Sequence, residues 1–234
     1  MSPTTLPTGL GVRPAGSLTE QLWTAGGPVV EAILDHPFLN ELAAGTLPDE
    51  VFRTYLVQDV RYIADFVRAM SVAAGRLRTR PGTALLSRRA GEIAGEHELH
   101  EQLMADFAVT AEQVAATPSS PTTAGYVSWV TALVYAEPLE EALAGLMACP
   151  WVYWEVGKAL LHGGCPDPRY QSWIERYGGE VPAVNLPPWL DLVDEVGAAC
   201  TPAQRTAAAE RFATGCRWEY LFWDSAYRAV TWPV

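Results

Sequence analysis

Three segments of this chain carry apolar residues at alternating steps of four and three, the spacing that lines one face of an α-helix. In the first the positions are Phe52, Leu56, Asp59, Ile63, Phe66 and Met70. In the second they are Ala142, Leu146, Cys149, Tyr153, Val156 and Leu160, and in the third Phe212, Cys216, Glu219, Trp223, Ala226 and Val230. No segment shows a defensible two-residue alternation of the kind that marks a half-buried strand. An apolar stripe of this kind has to be covered by another element, so the expected fold class is all-α, a helical bundle.

Each stripe is interrupted by a side chain that can do chemistry. Asp59 and Glu219 sit where an ionised carboxylate loses its hydration, and acids are rarely buried unless paired. Cys149 precedes Pro150, which has no N–H to donate and crowds the carbonyl of Leu146, so the helix is expected to kink or loosen there. Trp151, Tyr153 and Trp154 surround the thiol in sequence. Two readings stand side by side. A free cysteine packs well as a small hydrophobe, and an inward acid is often a hydrogen-bonded structural residue. Alternatively, the thiol and the two acids converge on one cavity, where burial and mutual charge shift their pKa values toward catalytic use.

The rest of the chain reads as helix and loop. Residues 1–16 are rich in Pro, Gly and Thr and are expected to be a flexible N-terminal tail, and residues 17–234 one helical domain. Ser17 with Glu20 and Thr201 with Gln204 have the spacing of capping boxes. Helices are expected over about 18–35, 48–77, 83–109, 122–136, 138–163, 168–177, 189–199 and 202–229, with a short piece ending near Gly45. The Pro-rich stretch Val181–Pro188 is expected to be extended. A net charge of −11 disfavours nucleic acid and anionic membrane surfaces as partners. No apolar run reaches the length of a membrane span. Four cysteines without CxxC spacing read as free thiols of a cytoplasmic protein. A carboxylate-bridged metal centre calls for Glu-x-x-His pairs. The residues three before His36, His97, His100 and His162 are Ile33, Ala94, His97 and Ala159, so no such pair exists. No metal and no cofactor are expected.

Four motifs carry a resemblance. Tyr55-Leu56-Val57-Gln58-Asp59-Val60-Arg61-Tyr62 resembles the YLxQDxxY segment of the TenA family, also called thiaminase II. Ala148-Cys149-Pro150-Trp151-Val152-Tyr153 is similar to its cysteine motif, and the run from Tyr170 to Tyr177 to its YxxWIxxY segment. The run from Glu219 to Tyr227 is similar to its ExxFWDxAY ending. The likeness extends from about Leu18 to Ala229, with the four motifs in order.

The resemblance implies a haem-oxygenase-like helical fold, usually assembled as a homotetramer, and aminopyrimidine aminohydrolase activity in thiamine salvage. It implies Cys149 as nucleophile, Glu219 as proton shuttle, Asp59 as the residue that holds the pyrimidine and Tyr62 as an aid to the cysteine. It places Tyr177 and the Trp151 region on the substrate, with Tyr126, Tyr153 and Phe222 among the pocket aromatics. Two features depart from the family pattern. Ala148 stands where proline often precedes the cysteine, and the connection Val181–Pro188 is longer and richer in proline. Two alternatives remain beside this reading, an enzyme of the same set acting on another heteroaromatic or small amine, and a ligand-binding or regulatory relative without catalysis.

Overall fold

The computed structural model describes residues 11–95 and 97–234, with the side chains of 97–100 outside that description. Regular structure among the described residues is helical: α1 (Leu18–Leu34), α2 (Pro37–Ala44), α3 (Asp49–Arg76), α4 (Arg80–Gly95), α5 (His97–Asp106), α6 (Ala111–Ala116), α7 (Pro121–Ala136), α8 (Leu139–Leu161), α9 (Pro168–Gly178), α10 (Glu180–Asn185), α11 (Pro187–Gly197) and α12 (Pro202–Tyr227). None of the described helices is long and apolar enough to cross a membrane.

Local chemistry sets the helix ends. Thr201 accepts from the Gln204 N–H, and the Gln204 side chain accepts from the Thr201 N–H, so two otherwise unmatched donors are satisfied together. Ser17 caps α1 through the Glu20 N–H, but the Glu20 carboxylate reaches the Gly16 N–H instead of that of Ser17. Proline occupies the first turn of α2, α7, α9, α11 and α12, where its missing N–H is not needed.

The apolar stripes form the core. Phe52, Leu56, Met70, Ala142, Leu146, Val156, Phe212, Cys216 and Trp223 are all buried. Val230 departs from the expected stripe, because α12 has ended before it and the residue is exposed. One close helix pair, α8 with α12, matters most for the site. A Cβ on Gly215 of α12 would collide with that of Ala148 and crowd the Gly145 carbonyl of α8. Small residues therefore let the two backbones approach and bring the Cys149 register of α8 against the Glu219 register of α12. On the other side of α12, Gly26 of α1 leaves room for the Phe212 ring and the Cys216 sulfur.

Several expectations are corrected. The segment expected over 83–109 is helical over Arg80–Gly95 and His97–Asp106 among the described residues. The stretch 181–188 is not extended. Pro182 lies in the first turn of α10 and Pro187 opens α11, positions where proline supports a helix. Helix α6 was not expected, although Thr110 and Gln113 form a complete capping box. Residues 1–10 of the expected tail lie outside the described residues. Residues 11–16 are tied down, since Arg13 pairs with Asp191 at 2.8 Å and Asp194 at 3.0 Å. Helix α8 runs unbroken through Pro150.

Candidate active site

A cavity of about 110 Å³ lies between α3, α4, α8, α9 and α10. At roughly 10–15 Å³ for each water-sized occupant it holds roughly seven to eleven such atoms. That is room for a substituted six-membered ring. Asp59, Tyr62 and Phe66 line it from α3, Cys149, Tyr153 and Trp154 from α8, and Tyr177 from α9. The apolar stripes of α3 and α8 thus face each other across this space.

Glu219 stands behind the thiol, fully buried. Tyr126 donates its hydroxyl hydrogen to Glu219 Oε1 at 2.5 Å. Burial pushes the Glu219 carboxyl up to about 8. The Tyr126 bond pulls it down, the Asp59 charge adds to the rise, and the Cys149 contact lowers it. Burial also lifts the Cys149 thiol well above its usual range, and the negative potential of Glu219 and Asp59 works in the same direction. The resting site at neutral pH therefore holds a protonated thiol against a protonated carboxylic acid. Tyr62 and Tyr126 are likewise pushed upward by burial and stay neutral donors. The Tyr62 hydroxyl is buried and closes no hydrogen bond within the protein. It lies within the field of Cys149 and Glu219.

A thiol, an adjacent acid that titrates near neutrality and a fixed carboxylate across a flat aromatic cavity suit addition to an electron-poor ring. Comparison with known proteins agrees. The profile of the TENA/THI-4/PQQC family matches residues 26–229. The chain belongs to that family. Over 215 residues it is 31% identical to an aminopyrimidine aminohydrolase of Bacillus subtilis, covering 92% of this chain and 91% of the relative. A TenA homologue of P. horikoshii superposes with a TM-score of 0.82 at 25% identity, over 91% of this chain and 99% of that one. A Shewanella denitrificans domain of haem-oxygenase-like fold superposes at 0.74 with 14% identity, over 92% and 94%, and shares the fold alone. The architecture is thus the haem-oxygenase-like helical bundle.

The TENA/THI-4/PQQC motifs divide their labour among cavity, support and scaffold. In the first motif Asp59 and Tyr62 face the cavity, while Tyr55 and Gln58 are supports. Tyr55 accepts from Trp173 Nε1 at 3.2 Å and meets the Tyr153 hydroxyl at 3.2 Å. Gln58 accepts from the Ser120 N–H at 2.8 Å and donates to the Pro118 carbonyl at 3.1 Å, which anchors the start of α7 and so the position of Tyr126. In the last motif Trp223 packs on Tyr153 with ring centres 5.0 Å apart. Asp224 holds His36 at 3.2 Å, and His36 caps α2 through the Phe38 N–H.

Three residues expected among the substrate contacts do not line this cavity. Trp151 is buried on the opposite side of α8, against Trp23 and Phe212, and donates to Glu155 at 3.0 Å. Two steps along a helix turn a side chain by more than half a circle, so Trp151 cannot share a face with Cys149. Phe222 does not line the cavity but packs behind it on Tyr62 and Tyr55, at 5.9 Å from each. Tyr126 stacks beneath Tyr62 at 4.7 Å and acts on Glu219.

Arg89 of α4 and Arg176 of α9 also line it and were not singled out, beside Ile93 of α4 and beside Val181 and Pro182 from the Pro-rich connection that departs from the family pattern. Arg89 falls between Leu86 and Ile93 on the apolar stripe of α4, the same signal of a charge on a buried face that revealed Asp59. Of the four histidines tested for a metal pair, His97 and His100 have side chains outside the description.

Proposed function

We infer that the chain is a hydrolase of the thiaminase II type, an aminopyrimidine aminohydrolase of thiamine salvage, with Cys149 as nucleophile and Glu219 as acid and base. The observation that carries this reading is the meeting of Cys149 and Asp59 in one ring-sized cavity with Glu219 directly behind the sulfur. The printed activity of the Bacillus subtilis relative supports it.

The residues divide the work as follows. Asp59 accepts hydrogen bonds from the ring edge and orients it, while Tyr153 and Tyr177 stand as aromatic walls. Glu219 gives its proton to the side-arm amine and takes up the proton of the Cys149 thiol. The thiolate adds to the electron-poor ring, and the electron pair it releases into the ring expels the amine as a neutral molecule. Water then adds to the side-arm carbon and yields a proton to the site. The carbon–sulfur bond breaks and the sulfur regains its proton through Glu219. One water is consumed, one amine is replaced by a hydroxyl, and the protein returns to its starting protonation state. No redox step or external electron carrier enters this balance.

The same reading makes the protein cytoplasmic and a homo-oligomer, a tetramer on the family likeness, which sedimentation of the purified chain tests. The activity itself is tested by incubating the protein with a panel of aminopyrimidines and following released ammonia. Release from none of them, together with unaltered thiamine, overturns the reading.

A further inference from the structure

Two neighbouring residues of α3 turn to different tasks. Asp59 lines the cavity. Gln58, also buried, reaches the loop before α7 instead. Its amide bonds to two backbone groups of that loop: Oε1 accepts from the Ser120 N–H at 2.8 Å, and Nε2 donates to the Pro118 carbonyl at 3.1 Å. A planar amide offers an acceptor and a donor side by side, so the pair fixes direction as well as distance. Ser120 is in turn the cap of α7, where its Oγ accepts from the Thr123 N–H at 3.1 Å, and both residues are buried. Less than two turns further along the same helix, Tyr126 donates to Glu219 Oε1.

Rings hold Tyr126 from the sides, Tyr62 at 4.7 Å and Trp218 at 5.8 Å. Dispersion contacts of this kind are weakly directional, whereas hydrogen bonds demand both distance and angle. The directional restraint at the start of α7 therefore comes from Gln58. A further contact reaches the same loop from outside, the exposed Trp232 indole donating to the Ser119 carbonyl at 2.9 Å. Glu219 is faced by Asp59 and Tyr62 from α3, Tyr126 from α7, and Cys149 and Tyr153 from α8, with Cys216 on its own helix. The Tyr126 bond is the larger of the two contacts that pull the Glu219 carboxyl down, so a hydroxyl that drifts off Oε1 lets the carboxyl rise.

We propose that Gln58 is a positioning residue, which holds α7 so that the Tyr126 hydroxyl stays on Glu219. The proposal rests on Glu219 as the acid of the aminohydrolase reading and extends it to a residue that touches neither substrate nor reacting atoms. Gln58 and Asp59, adjacent in sequence, then tie the setting of the acid and the seat of the ring to one turn of α3.

Carbon-13 NMR of the glutamate carboxyls tests this without turnover, with the Glu219 signal identified by its loss in Glu219→Gln. The proteins are the unaltered chain, Gln58→Met, Tyr126→Phe, the double variant and Trp232→Phe. Methionine keeps the length and apolar stem of glutamine and removes both bonds. The Glu219 midpoint, about 8 in the unaltered chain, is expected to rise by about 1–2 pH units in Tyr126→Phe and by about 0.3–1 in Gln58→Met. In the double variant it should rise no further than in Tyr126→Phe, because the two act through one bond. Trp232→Phe loses one exposed bond to the same loop, keeps both bonds of Gln58 and should leave the midpoint in place. The alkaline limb of kcat should follow the midpoints, with KM unchanged. Should Gln58→Met fail to fold, Gln58→Asn carries the same amide on a shorter arm, which cannot span both contacts, and is expected to move the midpoint the same way. A midpoint that stays in place in the folded variant overturns the role. So do shifts that add in the double variant, or a Trp232→Phe shift as large as that of Gln58→Met. A rise in KM with an unmoved limb overturns it too, since the effect then runs through Asp59. Ammonia release is read separately. A midpoint that moves as expected in a protein that releases no ammonia from any aminopyrimidine removes the aminohydrolase reading alone. Ammonia release with a midpoint that Gln58→Met leaves in place removes the positioning role alone.

Discussion

The floor and the rim of the cavity are built by different means. The floor is Asp59 and Cys149 with Glu219 behind the sulfur, three side chains on long helices whose apolar stripes hold them to within one register. The rim is Arg89, Arg176, Val181 and Pro182, drawn from α4, α9 and the six-residue α10. The floor has buried titratable groups whose protons are coupled, and the rim has charges and apolar edges near solvent. Position on long packed helices is what chemistry needs, since acid, nucleophile and ring must stay within about an ångström of their working geometry. A rim on short helices tolerates change. The two regions should therefore fail differently: Cys149 and Glu219 act on kcat, Asp59 beside them on pyrimidine affinity, and the rim on KM.

The sharpest test of that division is Cys149→Ala. It removes the nucleophile and little else, so turnover should fall below detection while the thermal transition stays close to that of the parent. Full activity in this variant ends the nucleophile role. Next in size is Glu219→Gln, which keeps shape and a hydrogen-bond donor but cannot pass a proton. It should cost about 10²–10⁴-fold in kcat with substrate affinity largely kept. An equal fall in affinity would show that Glu219 holds substrate and that floor and rim are not distinct. Asp59→Asn comes third. It should weaken pyrimidine binding by about 10- to 100-fold, because an amide does not reproduce a charge-assisted bond. Its melting temperature should hold or rise, since a buried charge is removed. Unfolding with unchanged binding would instead make Asp59 a structural acid.

The contrast also explains how much was legible in the residues. Periodicity carries far on long helices, so Asp59, Cys149 and Glu219 stood out as charges or a thiol in apolar registers. The bundle itself followed from the same stripes and from proline and capping residues. Trp151 shares the cysteine motif in sequence but not the face of Cys149, since a helix separates the two by angle, and it packs on Trp23 and Phe212. The rim was hard to read for another reason. Pro182 and Pro187 look like breakers of regular structure, yet at first-turn positions they start helices, and which face α10 turns to the cavity depends on how α9 ends. That ending is set by backbone contact, for a Cβ on Gly157 of α8 would strike the backbone of Tyr177 and Gly178.

A smaller effect separates Trp151 from the rim. Trp151→Phe removes the indole bond to the buried Glu155 and should lower stability by about 1–2 kcal/mol, read as a drop in melting temperature. Tyr177→Phe should act chiefly on KM. If Trp151→Phe shifts KM more than Tyr177→Phe does, the face assigned to Trp151 is wrong.

The smallest expected effect is also the most specific, because it concerns one proton. Tyr126 donates to Glu219 Oε1, a bond that favours the carboxylate and opposes the rise caused by burial. Tyr126→Phe removes that opposition, so the Glu219 pKa should climb above about 8. The mechanism needs Glu219 protonated when the amine leaves, so kcat of the parent should fall as pH rises through about 8. In Tyr126→Phe that alkaline limb should move to higher pH, with a change at pH 7 of less than about tenfold. Stability follows the same sign. A carboxyl whose pKa is raised from 4.5 unfolded to about 8 folded contributes its full stabilisation below the unfolded value, and loses it as pH climbs through the folded one. Relative to its own value at pH 5, Tyr126→Phe should therefore go on losing melting temperature above about pH 8, where the parent levels off. Paired pH profiles of kcat and melting temperature check both. An alkaline limb that stays in place, or moves down, would mean that the proton at the floor of the cavity does not reside on Glu219.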